Sequence, residues 1–284
     1  MTTTDVTAPT MVASRDGTPI AVWSTDHGPP LLLVHGMTSN HATFDPVLPY
    51  LTPHVSVHCL DRRGRGGSGD TDAYDLEREY EDIALVIDYL ADTTGRRVDL
   101  LGHSFGGLCA FGAVRRTENV RRLVLYEGWP VPDPTAILGP GGVMDLVDEL
   151  LATGDHEAAL AIFYREVVGM SEEFLDAFRA SPKWPSRVAA APTIPREVAA
   201  QNTGILDPSE AAAVELPVLL LIGGDSPDHL SAGVNELATA LPNACIAELK
   251  GQQHLAYVEA PELFAQTVLS FLADGQSSDP LNGG

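Results

Sequence analysis

Short apolar runs alternate with turn residues from the start of the chain. Residues 11–14 and 19–24, separated by Arg15-Asp16-Gly17-Thr18, read as a hairpin closed by a D-G turn. Residues 30–34 are apolar throughout, the pattern of a strand covered on both faces, and residues 55–60, 98–101 and 122–126 read as further strands. Between these runs the period changes. Leu76, Tyr80, Ile83, Ala84, Ile87 and Leu90 recur at helical spacing behind Asp75, an N-cap residue type, and residues 108–114 read as a second helix. Alternation of strand and helix from Leu31 to Tyr126 predicts a mostly parallel sheet with helices on both faces.

From residue 131 to 214 the pattern is helical only, with segments at 143–152, 156–168 and 172–180 and a proline-interrupted run to 213. The strand pattern resumes at 217–222, a helix follows at about 230–241, and a last strand spans 245–249. Pro261 then opens a helix with Phe264, Val268, Phe271 and Leu272 on one face. The expected fold is α/β, a doubly wound sheet of about eight strands, with its core in residues 9–130 and 215–272 and a helical insertion at 131–214. The tails, 1–8 and 273–284, have the composition of disordered segments.

The 284 residues, 44% hydrophobic, suffice for one large core with an insertion. Seventeen Lys and Arg against 39 Asp and Glu leave a net charge of −22, which disfavours nucleic acid and anionic membrane and makes a small neutral or cationic substrate easier to accommodate. Cys59, Cys109 and Cys245 lie far apart inside apolar patterns, without a C-x-x-C pair, and read as buried free thiols in a reducing compartment. The N-terminus lacks a basic and an apolar region, and no run reaches the roughly 18 apolar residues of a membrane span, so a cytoplasmic location is expected. Oligomeric state is not legible.

Residues 98–107, V-D-L-L-G-H-S-F-G-G, carry the chemistry. Gly102-His103-Ser104-Phe105-Gly106 fits G-x-S-x-G between a predicted strand and a predicted helix. The glycines on either side let strand and helix pass closely at a strained turn that presents the Ser104 hydroxyl, and the Phe105 N–H faces any oxyanion formed there. The stretch resembles the nucleophile elbow of the α/β-hydrolase family. In that family the residue after an H-G pair commonly gives a second oxyanion N–H, which here is Met37 after His35-Gly36. The His35 ring is expected to bond nearby backbone, and His35, Gly36 and Trp129 are the expected substrate-binding positions. The run Asp61-Arg62-Arg63-Gly64-Arg65-Gly66-Gly67-Ser68-Gly69 lacks G-K-[ST] and opens no helix, so it reads as a structural turn rather than a phosphate cradle. The insertion looks like the helical cap that covers the active site in many members of the family. Of Trp129, Phe163, Tyr164, Phe174, Phe178 and Trp184, about two are expected to touch ligand, the rest being core.

A serine hydroxyl needs a base, and of nine histidines His254, in a glycine-containing loop after the last strand, fits the family's chain order of Ser, acid, His. His103 should point away from the turn, and His229 opens a helix on the rim. Two carboxylates compete for the acid. Asp225 follows the seventh strand, the family's commonest place, but the usual spacing puts the acid where Ser226 stands. Glu127 follows the sixth strand, as in those members, including some haloalkane dehalogenases, that take their acid there. Glu127 is slightly favoured; Asp228 ranks third. The resemblance then implies cleavage of a small ester or lactone through an acyl-enzyme on Ser104, with no metal and no cofactor. A serine nucleophile argues against dehalogenase and epoxide-hydrolase chemistry, which need an aspartate. A C–C bond hydrolase, thioesterase or perhydrolase would share the same residues, and a non-catalytic small-molecule receptor could keep them.

Overall fold

The computed structural model describes residues 8–25, 28–133 and 141–273. The expected tails lie outside the described residues except at Ala8 and Ala273. Eight strands form one sheet: β1 (Thr10–Ala13), β2 (Pro19–Ser24), β3 (Pro30–Val34), β4 (Ser56–Leu60), β5 (Val98–His103), β6 (Val120–Tyr126), β7 (Val218–Gly223) and β8 (Ala244–Leu249). Their order is β1-β2-β4-β3-β5-β6-β7-β8, antiparallel at β1, β2 and β4 and parallel from β4 to β8.

Because β3 is apolar at every position, alternate side chains feed two cores. Leu32 and Val34 pack with residues of α2 (Leu76–Thr94), α3 (Phe105–Ala113) and, farther along the sheet, α10 (Val234–Ala240). Leu31 and Leu33 pack on the other face with α1 (Leu48–Leu51), α11 (Ala256–Glu259) and α12 (Pro261–Ala273). This two-sided burial is what a parallel sheet requires. Asp75 caps α2 as expected, its carboxylate accepting the Arg78 N–H at 2.9 Å. No helix of the described residues is long and apolar enough to cross a membrane.

Three readings need correction. Helix α3 starts at Phe105 rather than at residue 108, because Gly106 and Gly107 are held in helix by close packing despite their poor propensity. The helix expected at 230–241 is broken: Asp228–Leu230 is a single 3₁₀ turn, and α10 starts only after Gly233, whose φ is +73°. Cys245 is exposed, because β8 is the sheet edge and its outer positions have no cover; Cys59 and Cys109 are buried.

Between β6 and β7 the described chain is helical: α4 (Val143–Ala152), α5 (His156–Ile162), a π turn at Phe163–Val167, α6 (Glu172–Arg179), α7 (Trp184–Ala190), α8 (Ile194–Gln201) and α9 (Pro208–Ala212). Residues of α4 to α8 form an apolar cluster of their own. A buried charge network ties this segment to the loop after β4. Arg62 bridges Glu79 on α2 at 2.8 Å and Glu197 on α8 at 2.6 Å, and Arg65 adds a 2.8 Å contact to Glu197. Breaking such a pair from one side typically costs about 3–5 kcal/mol, since the surviving charge stays buried.

Candidate active site

Ser104 sits between β5 and α3 with φ +54° and ψ −132°, a conformation that a residue with a side chain adopts only under constraint. Its N–H donates to Tyr126 O at 2.9 Å, and its carbonyl accepts from Gly107 at 2.7 Å. The flanking glycines are needed sterically: a Cβ on Gly102 would lie 2.5 Å from Gly106 O, and one on Gly106 would lie 2.5 Å from Val34 O and collide with His35 O. Gly128 is tighter still, a Cβ there colliding with Ser104 O. As the first residue of α3, Phe105 has an N–H without an intrahelical acceptor.

His254 lies in the loop after β8, buried, and Glu127 follows β6, also buried. Glu127 Oε2 accepts from His254 Nδ1 at 2.6 Å, and Oε1 accepts the Gly223 N–H at 2.7 Å. The Glu127 backbone is left-handed, φ +43°, and its N–H donates to Leu221 O at 3.1 Å, so β7 fixes both ends of the residue. With Nδ1 engaged by the carboxylate, Nε2 is the ring nitrogen left for a proton acceptor. Asp225, the other candidate acid, is exposed and joins the His254 loop only through its backbone N–H to Gln252 O at 2.9 Å. Asp228 is likewise exposed. Ser226, at the usual acid position, has a buried hydroxyl without a hydrogen-bond partner.

The His254 loop is held from below by Tyr126 and His103. Tyr126 donates its hydroxyl to Gln253 O and accepts the Ala256 N–H at 3.2 Å. His103 does not stand apart: its Nε2 donates to His254 O at 2.9 Å, and the two rings are 4.5 Å apart. Burial, reinforced by the His254 charge, pushes the His103 pKa well below the ordinary histidine value, which keeps it a neutral strut. The signal available for Tyr126 was its place beside Glu127 on a strand, which sends it to the opposite face.

His35 is buried, its Nδ1 donating to Gly36 O at 2.9 Å and its Nε2 accepting the Arg62 N–H at 3.1 Å. It bonds backbone as expected but does not line the cavity, so its substrate-binding assignment is not supported. Burial, with the Arg62 charge, holds its pKa well below the ordinary value. The glycine-rich turn wraps Asp61, which accepts from Trp23 Nε1 at 2.8 Å, His41 N at 2.7 Å and Gly67 N at 2.9 Å. Burial would raise the Asp61 pKa, but the hydrogen bonds it accepts from His41 and Gly67 outweigh it and lower it to about 2. Gly66 is required there, φ +50°, because a Cβ would strike the Asp61 carboxylate. The turn is a structural clamp.

Above the ends of β3, β5 and β6 a cavity open at its mouth brings Ser104, His254 and Glu127 together with Gly36, Met37, Phe105 and Trp129. Among the described residues no hydrogen bond joins the Ser104 hydroxyl to the His254 ring; such bonds are often long until substrate closes the site. Of the six aromatics, Trp129, Phe163, Tyr164 and Phe178 line the cavity, the last three also belonging to the apolar cluster of the helical segment. Phe174 and Trp184 belong to that cluster but not to the lining. His229, in the 3₁₀ turn, bonds Val167 O at 2.7 Å. One lining residue had no signal in the sequence: Arg187 on α7, 8% exposed. Among the described residues no group of three or more His, Cys, Asp or Glu could hold a metal ion.

A family model described as "Alpha/beta hydrolase family" matches residues 31–267. A solved structure of an alpha/beta hydrolase from Sphaerobacter thermophilus is 33% identical, with a TM-score of 0.78 over 93% of this chain and 100% of that one. A pimeloyl-[acyl-carrier protein] methyl ester esterase of Photobacterium profundum is 36% identical over 110 residues, which is 38% of this chain and 41% of the relative, so the matched part spans about two fifths of its length. A protein of the same name from Yersinia enterocolitica is 27% identical over 261 residues, 85% of this chain and 92% of the relative.

Proposed function

The chain is an enzyme of the alpha/beta hydrolase family, and from that premise we propose that it cleaves small carboxylic esters or lactones through an acyl-enzyme on Ser104. The observation that carries the reading is the 2.6 Å bond from Glu127 to His254 in the wall of the cavity that Ser104 also lines. A carboxylate on Nδ1 selects the tautomer whose Nε2 is free to accept a proton and stabilises the imidazolium that results. The names of the esterase relatives point to the same bond type.

In the proposed reaction His254 Nε2 takes the Ser104 proton as Oγ attacks the carbonyl carbon. The N–H groups of Met37 and Phe105 hold the oxyanion, worth about 3–4 kcal/mol per donor in comparable sites. His254 then protonates the leaving alkoxide. Water, deprotonated by the same ring, releases the acid and restores the serine. The described helices α4 to α9 act as the cap: they roof the acyl site with Phe163, Tyr164 and Phe178 and limit water access.

Turnover of a short-chain p-nitrophenyl ester tests this. Wild type should hydrolyse it with an initial burst of nitrophenol, and Ser104→Ala and His254→Ala should each lose about a thousandfold or more in kcat. Undiminished turnover in Ser104→Ala would refute the reading.

A further inference from the structure

From Arg187 we infer that the cavity is built for substrates carrying a carboxylate, which the guanidinium holds at the cap end while Ser104 attacks the ester bond; this rests on the ester-hydrolase reading above. Arg187 is the only Lys or Arg among the described residues that line the cavity, and it is 8% exposed. Glu127 is the only acidic residue among the described residues of that lining, and it is engaged by His254. Among the described residues no carboxylate forms an ion pair with Arg187, whereas Arg62, Arg63 and Arg65, also buried, each have one. Its partners are neutral: Nη2 donates to Thr43 Oγ1 at 2.7 Å, Nη1 reaches the Tyr164 hydroxyl at 3.5 Å, and the guanidinium lies 5.4 Å from the Phe178 ring centre.

A guanidinium has five N–H donors, and these contacts use two of them. A buried charge left with neutral partners is costly, and it is retained where a ligand completes it. The planar fork matches a carboxylate, with two parallel charge-assisted hydrogen bonds. A phosphate dianion would bring two charges to one cation in a cavity that already holds Glu127, so the monoanion fits better. Thr43 and Tyr164 brace the guanidinium against the core: Thr43 Oγ1 also meets the Tyr257 hydroxyl at 3.3 Å, and Tyr164 meets Thr38 Oγ1 at 2.7 Å. The overall charge of −22 suggested a neutral or cationic substrate. Exposed charges are largely screened beyond about 10 Å at 0.1 M salt, so a buried cation at the site outweighs them.

The experiment compares p-nitrophenyl monoesters of straight-chain dicarboxylic acids, succinic to adipic, with uncharged isosteres in which isopropyl replaces the carboxylate. Wild type should favour the best acid ester at least tenfold in kcat/KM. In Arg187→Gln the acid-to-isostere ratio should fall at least thirtyfold, and Arg187→Lys should restore part of it. A ratio equal in wild type and Arg187→Gln would overturn the inference, even if both rates fall together as a purely structural role would require. Calorimetry on Ser104→Ala with the methyl monoester of adipic acid separates this from failure of the catalytic reading. Binding that is weakened at least tenfold by adding Arg187→Gln supports the carboxylate site whether or not the ester is turned over. No binding, or equal binding of the isostere, overturns it.

Discussion

Glu127 Oε2 accepts a 2.6 Å hydrogen bond from Nδ1 of His254, joining the end of β6 to the loop after β8. Gly223 N–H donates to the other oxygen, so the carboxylate is oriented as well as buried. If this carboxylate sets the imidazole tautomer, Glu127→Gln should lower kcat by about a thousandfold or more with little change in KM. Asp225→Asn should stay within about threefold of wild type. Steady-state kinetics on one ester decide between them, and the reverse ranking would transfer the role to Asp225.

The strand–serine–helix junction makes a stability prediction. A methyl group at Gly106 would meet Val34 O at 2.5 Å and collide with His35 O, backbone atoms at the end of β3 and the start of the loop that carries Met37. Gly106→Ala should therefore destabilise the fold by about 2 kcal/mol or more, and should displace that loop from Ser104 and depress activity. Chemical denaturation measures the first effect. A fully stable, fully active variant would show that the close approach is not required.

How much of this was readable follows from where the information is stored. The Ser104 turn was legible because the constraint is local: two glycines, a strand before and a helix after. The strands were legible from short runs rich in apolar residues, and His254 from its place after the last strand. The choice between Glu127 and Asp225 depends on which strand end faces the His254 ring, a relation across β6, β7 and β8 that no local spacing encodes. Arg187 looked like any charged residue on a short helix, and only the surrounding cluster of Tyr164, Phe178 and Thr43 makes it a buried cation. Cys245 was misread because an edge strand can carry apolar residues on its open side.

Stability should depend on pH through the buried histidines. Burial holds the folded-state pKa values of His35 and His103 well below the ordinary 6.5. On acidification the unfolded chain takes up protons that the folded rings refuse, so ΔG of unfolding is full above about pH 6.5 and falls below it. Each ring contributes up to about 1.4 kcal/mol per pH unit. Urea titrations between about pH 7.5 and 5 on wild type and His103→Gln should show a shallower decline in the variant. Parallel curves would mean that His103 takes up its proton equally in both states.

The central claim is that the hydroxyl at Ser104 is activated by the His254–Glu127 pair, and covalent labelling tests it most directly. Intact-mass analysis after treatment with a fluorophosphonate at neutral pH, followed by peptide mapping, should find one adduct per chain, on Ser104. Labelling should be absent in Ser104→Ala and slowed by about a hundredfold or more in His254→Ala. An unlabelled wild-type protein, or an adduct on any other residue, would contradict the account.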